Sequence, residues 1–147
     1  PFDDCRFDLV TMWAVIEHLP LGSEPDAFRE VARVLVPGGR LALSTPSANL
    51  FSRALDPANL LTGHRHYSAG QLNAMLGQAG FTVEIQRTAG GLLTVADYMF
   101  FYLWKYLVRR PMPRITAFRR AVQRDALSDG FVNIYLLARL GQDGSAP

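Results

Sequence analysis

Glu17 and His18 stand side by side just beyond the apolar run Phe7 to Met12, within FDLVTMWAVIEHL. A neutral imidazole is the natural proton acceptor near pH 7 and a neighbouring carboxylate raises its basicity, so the pair can serve as a general base. The same two residues can instead cap and brace the connection that follows the run. His64, Arg65, His66 and Tyr67 make a second cluster. Two histidines at i and i+2 point the same way on an extended chain, as metal ligands would, but no cysteine or acidic group lies near in sequence to complete such a site. Hydrogen bonding is the simpler use of His66 and Tyr67, either to position a ligand or to brace the helix that begins at Ser68. A third group, Tyr98, Phe101, Tyr102 and Lys105, can share one helical face and cover an apolar ligand.

The elements that must position these groups follow from periodicity. Phe7 to Met12 is continuously apolar apart from Asp8, as suits a strand covered on both faces. Ser23 with Asp26 has capping-box spacing, and Phe28, Val31, Ala32 and Leu35 fall on one helical face until Pro37, Gly38 and Gly39 stop it. Leu41 to Thr45 supplies a second strand. Pro46 to His66 reads as a long loop with at most one helical turn near Leu50 to Leu55. Ser68 with Gln71 caps another helix, whose Leu72, Met75, Leu76 and Ala79 face inward and which Gly80 ends. Phe81, Val83 and Ile85 alternate as a strand. The rhythm so far predicts right-handed crossovers onto a mostly parallel α/β sheet. It breaks after Gly90 and Gly91. Leu92 to Val108 is apolar and aromatic but carries Asp97 and Lys105, too short and too charged to span a bilayer, so it reads as an amphipathic helical insertion. A basic helix from Arg114 to Leu127 and a last strand from Phe131 to Leu140 follow, and residues 141–147 form a tail.

The 147 residues suit one domain, 1–140, with an insertion at 91–129. Hydrophobic residues at 49% against 19% charged exclude an intrinsically disordered chain. The net charge of +2 gives no case for nucleic acid, and the basic run lacks a recognisable nucleic-acid fold. That run, Lys105, Arg109, Arg110, Arg114, Arg119, Arg120 and Arg124, is either a solvated helix face or a surface for phosphate or lipid. Acids crowd the other end, at Asp3, Asp4, Asp8, Glu17, Glu24, Asp26 and Glu30. A single cysteine, Cys5, excludes an internal disulfide framework and fits a reducing, cytoplasmic setting.

FDLVTMWAVIEHLP, ARVLVPGGRLALSTP and HRHYSAGQLNAMLGQAGF, in that order and at that spacing, resemble the class I S-adenosylmethionine-dependent methyltransferases. The resemblance covers Pro1 to Arg87 and extends to Phe131 to Leu140, with Gly90 to Gly130 as a variable insertion. It implies a partial Rossmann-like sheet made of the family's last four strands, the final one antiparallel and slotted between the two before it. It also implies that the amino-terminal half is missing. The family's glycine-rich loop and its ribose-gripping acid have no counterpart, and Gly38-Gly39 is no substitute because it follows a helix and precedes a strand. The S-adenosylmethionine site is therefore expected to be incomplete, and the piece alone to bind cofactor weakly and to be inactive.

Ligands in open α/β sheets sit beyond the carboxyl ends of the strands. That rule, joined to the resemblance, nominates Thr11, Met12 and Trp13 for the cofactor. Glu17 and His18 are nominated for proton removal, and Ser47, His66, Tyr67, Tyr98 and Tyr102 for the acceptor, with no metal. Trp13 has a second reading, as a filler under the following helix. The expected acceptor is a small molecule or lipid, with self-association through the open edge of the first strand and a peripheral membrane contact through the insertion. A non-catalytic interaction module and another doubly wound enzyme such as a dehydrogenase are the alternatives.

Overall fold

The computed structural model describes residues 2–54, 65–109 and 115–142. Four strands form one sheet: β1 (Phe7–Trp13), β2 (Leu35–Pro46), β3 (Phe81–Ala89) and β4 (Asn133–Leu140), in the order β1-β2-β4-β3. β1 and β2 are parallel, while β4 runs antiparallel to both of its neighbours. The last strand is thus slotted where the resemblance places it. Helices α1 (Glu24–Val34) and α3 (Ala69–Gln78) cover one face, and the short α2 (Leu50–Ala54) follows β2.

Alternation decides which side chains meet those helices. Val10 and Met12 of β1, Leu41, Leu43 and Thr45 of β2, and Ile134, Leu136 and Ala138 of β4 are in register on the covered face. They pack with Phe28, Leu72 and Leu76 in the core. Leu9, Thr11 and Trp13 point to the opposite, open face, where Leu9 and Trp13 are more than half exposed.

Three local expectations are corrected. Leu35 was placed on the helix, with a strand only from Leu41. It is instead the first residue of β2, extended at φ −78°, ψ 143°. Pro37 forces the residue before it out of the helical region, and two steps along β1 (Phe7 to Leu9) answer five along β2 (Leu35 to Arg40). Gly38, at φ 78°, makes that bulge possible, because other residues resist the left-handed region. The capping box at Ser23 does not form. Ser23 sits in the helical region and its hydroxyl donates to the Pro20 carbonyl at 2.7 Å, leaving Glu24, Pro25 and Asp26 to suit the helix start. At Ser68 the predicted box does form, with Gln71 N–H donating to Ser68 Oγ at 3.2 Å and Ser68 N–H to Gln71 Oε1 at 2.9 Å. Third, a bulge between Val83 and Ile85 turns Ile85 onto the open face, so it does not continue the Phe81–Val83 row.

The insertion is a helical hairpin. α4 (Leu92–Leu103) runs into a widened π turn, Trp104–Val108, which Arg109 ends at φ 51°, and α5 (Thr116–Leu127) returns against it. The predicted helix start at Arg114 lies outside the described residues. Phe100 meets Phe118 edge-on at 6.5 Å. The hairpin closes at its base because Asp125, near the end of α5, caps the start of α4. Its Oδ2 accepts from Gly91 N–H at 2.9 Å, Thr94 N–H at 2.8 Å and Thr94 Oγ1 at 2.7 Å. Burial would raise the Asp125 pKa, but these donors outweigh it and hold the carboxyl below its usual range.

Entry into β4 depends on backbone contact. Gly130 N–H donates to the Thr88 carbonyl, and Phe131 and Val132 N–H to the Gly90 carbonyl. A Cβ on Gly130 would stand 2.1 Å from Gly90 O. Gly130→Ala is therefore expected to cost about 3 kcal/mol in urea unfolding. Gly77→Ala, in α3 with open space at its Cβ, should stabilise by about 0.5 kcal/mol. Equal effects of the two substitutions would contradict this packing.

Candidate active site

β1 leaves the sheet through Ala14, which takes φ 51° and donates its N–H to the Ser44 carbonyl at 3.1 Å. A single 3-10 turn, Ile16–His18, follows. Ile16 is wholly buried and anchors the turn in the core, so the next two side chains part company: Glu17 is 3% exposed and His18 lies in solvent.

Glu17 is turned toward β2. Thr45 Oγ1, also buried, donates to Glu17 Oε2 at 3.1 Å. Glu17 Oε1 is buried and has no hydrogen-bond partner among the described residues. A buried polar atom left unpaired costs on the order of 1–3 kcal/mol, and native chains seldom keep one without a use for it. The carboxylate lies beyond the carboxyl ends of the two parallel strands, where ligands of such sheets bind.

A clamp holds this turn in place. The Arg65 guanidinium donates to the Ile16 carbonyl at 3.0 Å and to the Leu19 carbonyl, and it pairs with the Glu24 carboxylate at the start of α1. The Tyr67 hydroxyl donates to Glu24 Oε1 at 2.9 Å, with the Ile16 carbonyl 3.2 Å away. Burial acts to raise the Glu24 pKa, but its own backbone N–H, the Tyr67 hydroxyl and the Arg65 charge prevail and keep it below the usual range. Burial and the facing Glu24 carboxylate push the Tyr67 phenol upward.

The nominated residues divide. Met12 is a core side chain, which strand alternation points at α1 and α3. Thr11 and Trp13 lie on the open face, and Trp13 borders a shallow trough of about 350 Å³ with Ile85, Leu127 and Tyr135. Ser47 and Tyr67 pair through an isolated bridge at the end of β2, but Tyr67 is spent on the clamp. His66 lines a groove of about 830 Å³ with Leu21, Glu24, Arg53, Arg65 and Gln71, and Glu17 is not among its lining residues. Tyr98 and Tyr102 line a separate cavity of about 630 Å³ between α4 and α5, with Phe118 and Arg119. Side chains tie that hairpin to the sheet: Asn133 Nδ2, on a residue paired with Pro46, donates to Tyr98 Oη at 3.2 Å, and Arg87 Nη2 donates to the Leu127 carbonyl at 2.6 Å. His64 lies outside the described residues.

Residues 2–86, which supply β1, the Glu17 turn, the clamp and most of the core, match a family model described as a methyltransferase domain. The chain belongs to the class I S-adenosylmethionine-dependent methyltransferases. It is 37% identical over 84 residues to a Mycolicibacterium smegmatis protein assigned by inference as an S-adenosylmethionine-dependent methyltransferase. That match takes in 57% of this chain and 32% of the relative. A Galdieria sulphuraria structure, assigned by inference as a sarcosine dimethylglycine methyltransferase, superposes with a TM-score of 0.63 at 17% identity, over 97% of this chain and 56% of that one. The [4+2]-cyclase SpnF superposes with 0.61 at 23% identity, over 96% and 52%. The chain thus spans about half the length of these solved methyltransferase-like structures. Likeness at such identity speaks for the fold alone, and a cyclase among the neighbours shows that this methyltransferase fold hosts other reactions.

Glu24, Arg65 and Asn133 escaped the sequence reading. Arg65 stood inside the flagged HRHY cluster and Glu24 directly after Ser23, yet their pairing joins positions 41 residues apart. Because the folded Glu24 pKa is depressed, its contribution is complete above the unfolded value near 4.5 and is lost as pH falls through the folded one. Wild-type urea midpoints should therefore drop below about pH 4.5. Glu24→Gln should lose about 3 kcal/mol at pH 7, with the gap to wild type narrowing in acid. A gap that stays constant from pH 7 to pH 3 would argue against an ionised clamp.

Proposed function

We propose that the protein carrying this chain transfers the methyl group of S-adenosylmethionine to a small-molecule or lipid-like acceptor, with Glu17 taking the proton that the acceptor sheds. The observation that carries this reading is Glu17 Oε1, an ionisable atom buried at the ligand-binding end of the sheet and left without a partner among the described residues. An acceptor O–H or N–H supplies the donor that this oxygen lacks. Thr45 holds Oε2, so the carboxylate is aimed before the acceptor arrives. His18, one residue on, is exposed on the same turn. The Arg65–Glu24–Tyr67 clamp positions the turn that carries both.

The residues present fit one side of the cofactor. Thr11 and Trp13 offer a hydroxyl and an indole on the open face at the same end of β1. When bound, S-adenosylmethionine supplies an electrophilic methyl on a sulfonium. No glycine-rich loop joins a strand to a following helix among the described residues, and no strand pairs with the second edge of β1. We place the adenosyl pocket in strands that add to that edge. We assign Ser47, at the β2 end, and Tyr98 and Tyr102, on the hairpin that Asn133 ties to that end, to the acceptor side of the site.

In the intact protein, Glu17→Gln should lower kcat about a hundredfold or more while the KM for S-adenosylmethionine stays within a few-fold. Thr45→Val should give a smaller loss in the same sense. An unchanged kcat in Glu17→Gln removes Glu17 as the base. Calorimetric titration of residues 1–147 alone should show weak binding or none, and micromolar affinity would place the adenosyl pocket within this chain.

A further inference from the structure

Exposed apolar side chains are concentrated on the α4–α5 hairpin rather than spread over the surface. Met99, Leu103, Tyr106 and Leu107 recur at helical spacing along α4 and its π turn, and all are exposed, Leu107 by 73%. The residues that bind α4 to α5 lie on another side, where Phe100 meets both Phe118 and Trp104. The outward stripe therefore plays no part in holding the hairpin together.

Cations stand beside the stripe on α4 and are exposed on its partner helix. Lys105 Nζ lies 5.9 Å from the Phe101 ring centre and 5.5 Å from that of Tyr106. Arg109 follows the apolar tip, and Arg119, Arg120 and Arg124 are exposed on α5. None of these five is held in an ion pair among the described residues. No acid occurs between Asp97 and Asp125, and the Asp125 carboxylate is committed to the start of α4. A soluble polyanion would satisfy the charges but leave the stripe in water. An apolar protein partner would cover the stripe but leave the cations uncompensated. A surface with anionic heads above acyl chains satisfies both. Among the described residues no helix is long and apolar enough to cross a membrane, so the contact is interfacial.

We propose that the outer face of the α4–α5 hairpin docks on an anionic lipid surface, the Met99–Leu107 stripe entering the acyl boundary and the flanking lysine and arginines meeting the headgroups. This is independent of the role assigned to Glu17. The test is flotation of the intact protein with phosphatidylcholine vesicles, alone or with roughly a third phosphatidylglycerol. The expected result is flotation with the anionic vesicles only, reversed by high salt. The double variant Leu103→Glu, Leu107→Glu should reduce vesicle binding about tenfold or more, and Arg120→Glu, Arg124→Glu should weaken it as well, with helical circular dichroism unchanged in both. Absence of flotation overturns the proposal, as does binding indifferent to the apolar pair. A double variant that instead splits a dimer in light scattering also overturns it and assigns the stripe to a second copy of the chain.

Discussion

Arg65 and Glu24 meet, largely but not wholly shielded from solvent, between the turn after β1, the start of α1 and the segment leading into α3. An ion pair in such a place is costly to desolvate and becomes favourable only when its remaining hydrogen-bonding capacity is met. The guanidinium meets that condition, because its other N–H groups reach the main-chain carbonyls of the Ile16–Leu19 turn while Tyr67 serves the carboxylate. Three segments that touch the sheet separately thereby become one body. The Glu17 carboxylate, on the middle residue of that turn, inherits its position from the clamp.

The sheet supplies the second constraint. A final strand that runs antiparallel between β2 and β3 brings its first residues, Asn133 and Ile134, to the same end of the sheet as the last residues of β2. Ser47 N–H donates to the Val132 carbonyl there, and Asn133 reaches Tyr98 on α4. The hairpin is thus moored to the rim by a side chain, while Asp125 ties its own two helices together at the base. The segment of least regular sequence is held at the end of the sheet where the chemistry is proposed.

Family membership and fold do not by themselves select a reaction, since a cyclase shares this architecture. What distinguishes a working site is the local state of particular atoms. Thr45 satisfies one oxygen of Glu17 and the other has no partner among the described residues, an arrangement with a stability cost unless a donor arrives. Met12, by contrast, sits on the same strand end with its side chain in the core.

Local rules carried the reading wherever a signal is complete within a few residues. The Ser68–Gln71 box, the glycine stop at Gly80 and the apolar run of β4 were legible because capping and burial act at short range, whereas the β1 run, expected to be covered on both faces, forms the strand but buries only Met12. The order of the strands was legible only through the resemblance, since pairing is a long-range property. Local signals failed where a neighbour outvoted them: Pro37 kept Val36 extended and the helix ended before Leu35, Pro20 took the Ser23 hydroxyl, and a bulge at Glu84 reversed Ile85. The sequence by itself determined which residue types stand near the end of β1, a glutamate, a histidine and a tryptophan. Only the tertiary structure decided that Glu17 is buried against Thr45, that His18 stays in water, and that Arg65 is spent on Glu24. Burial and pairing depend on what the rest of the chain brings alongside, and no spacing along the chain encodes that.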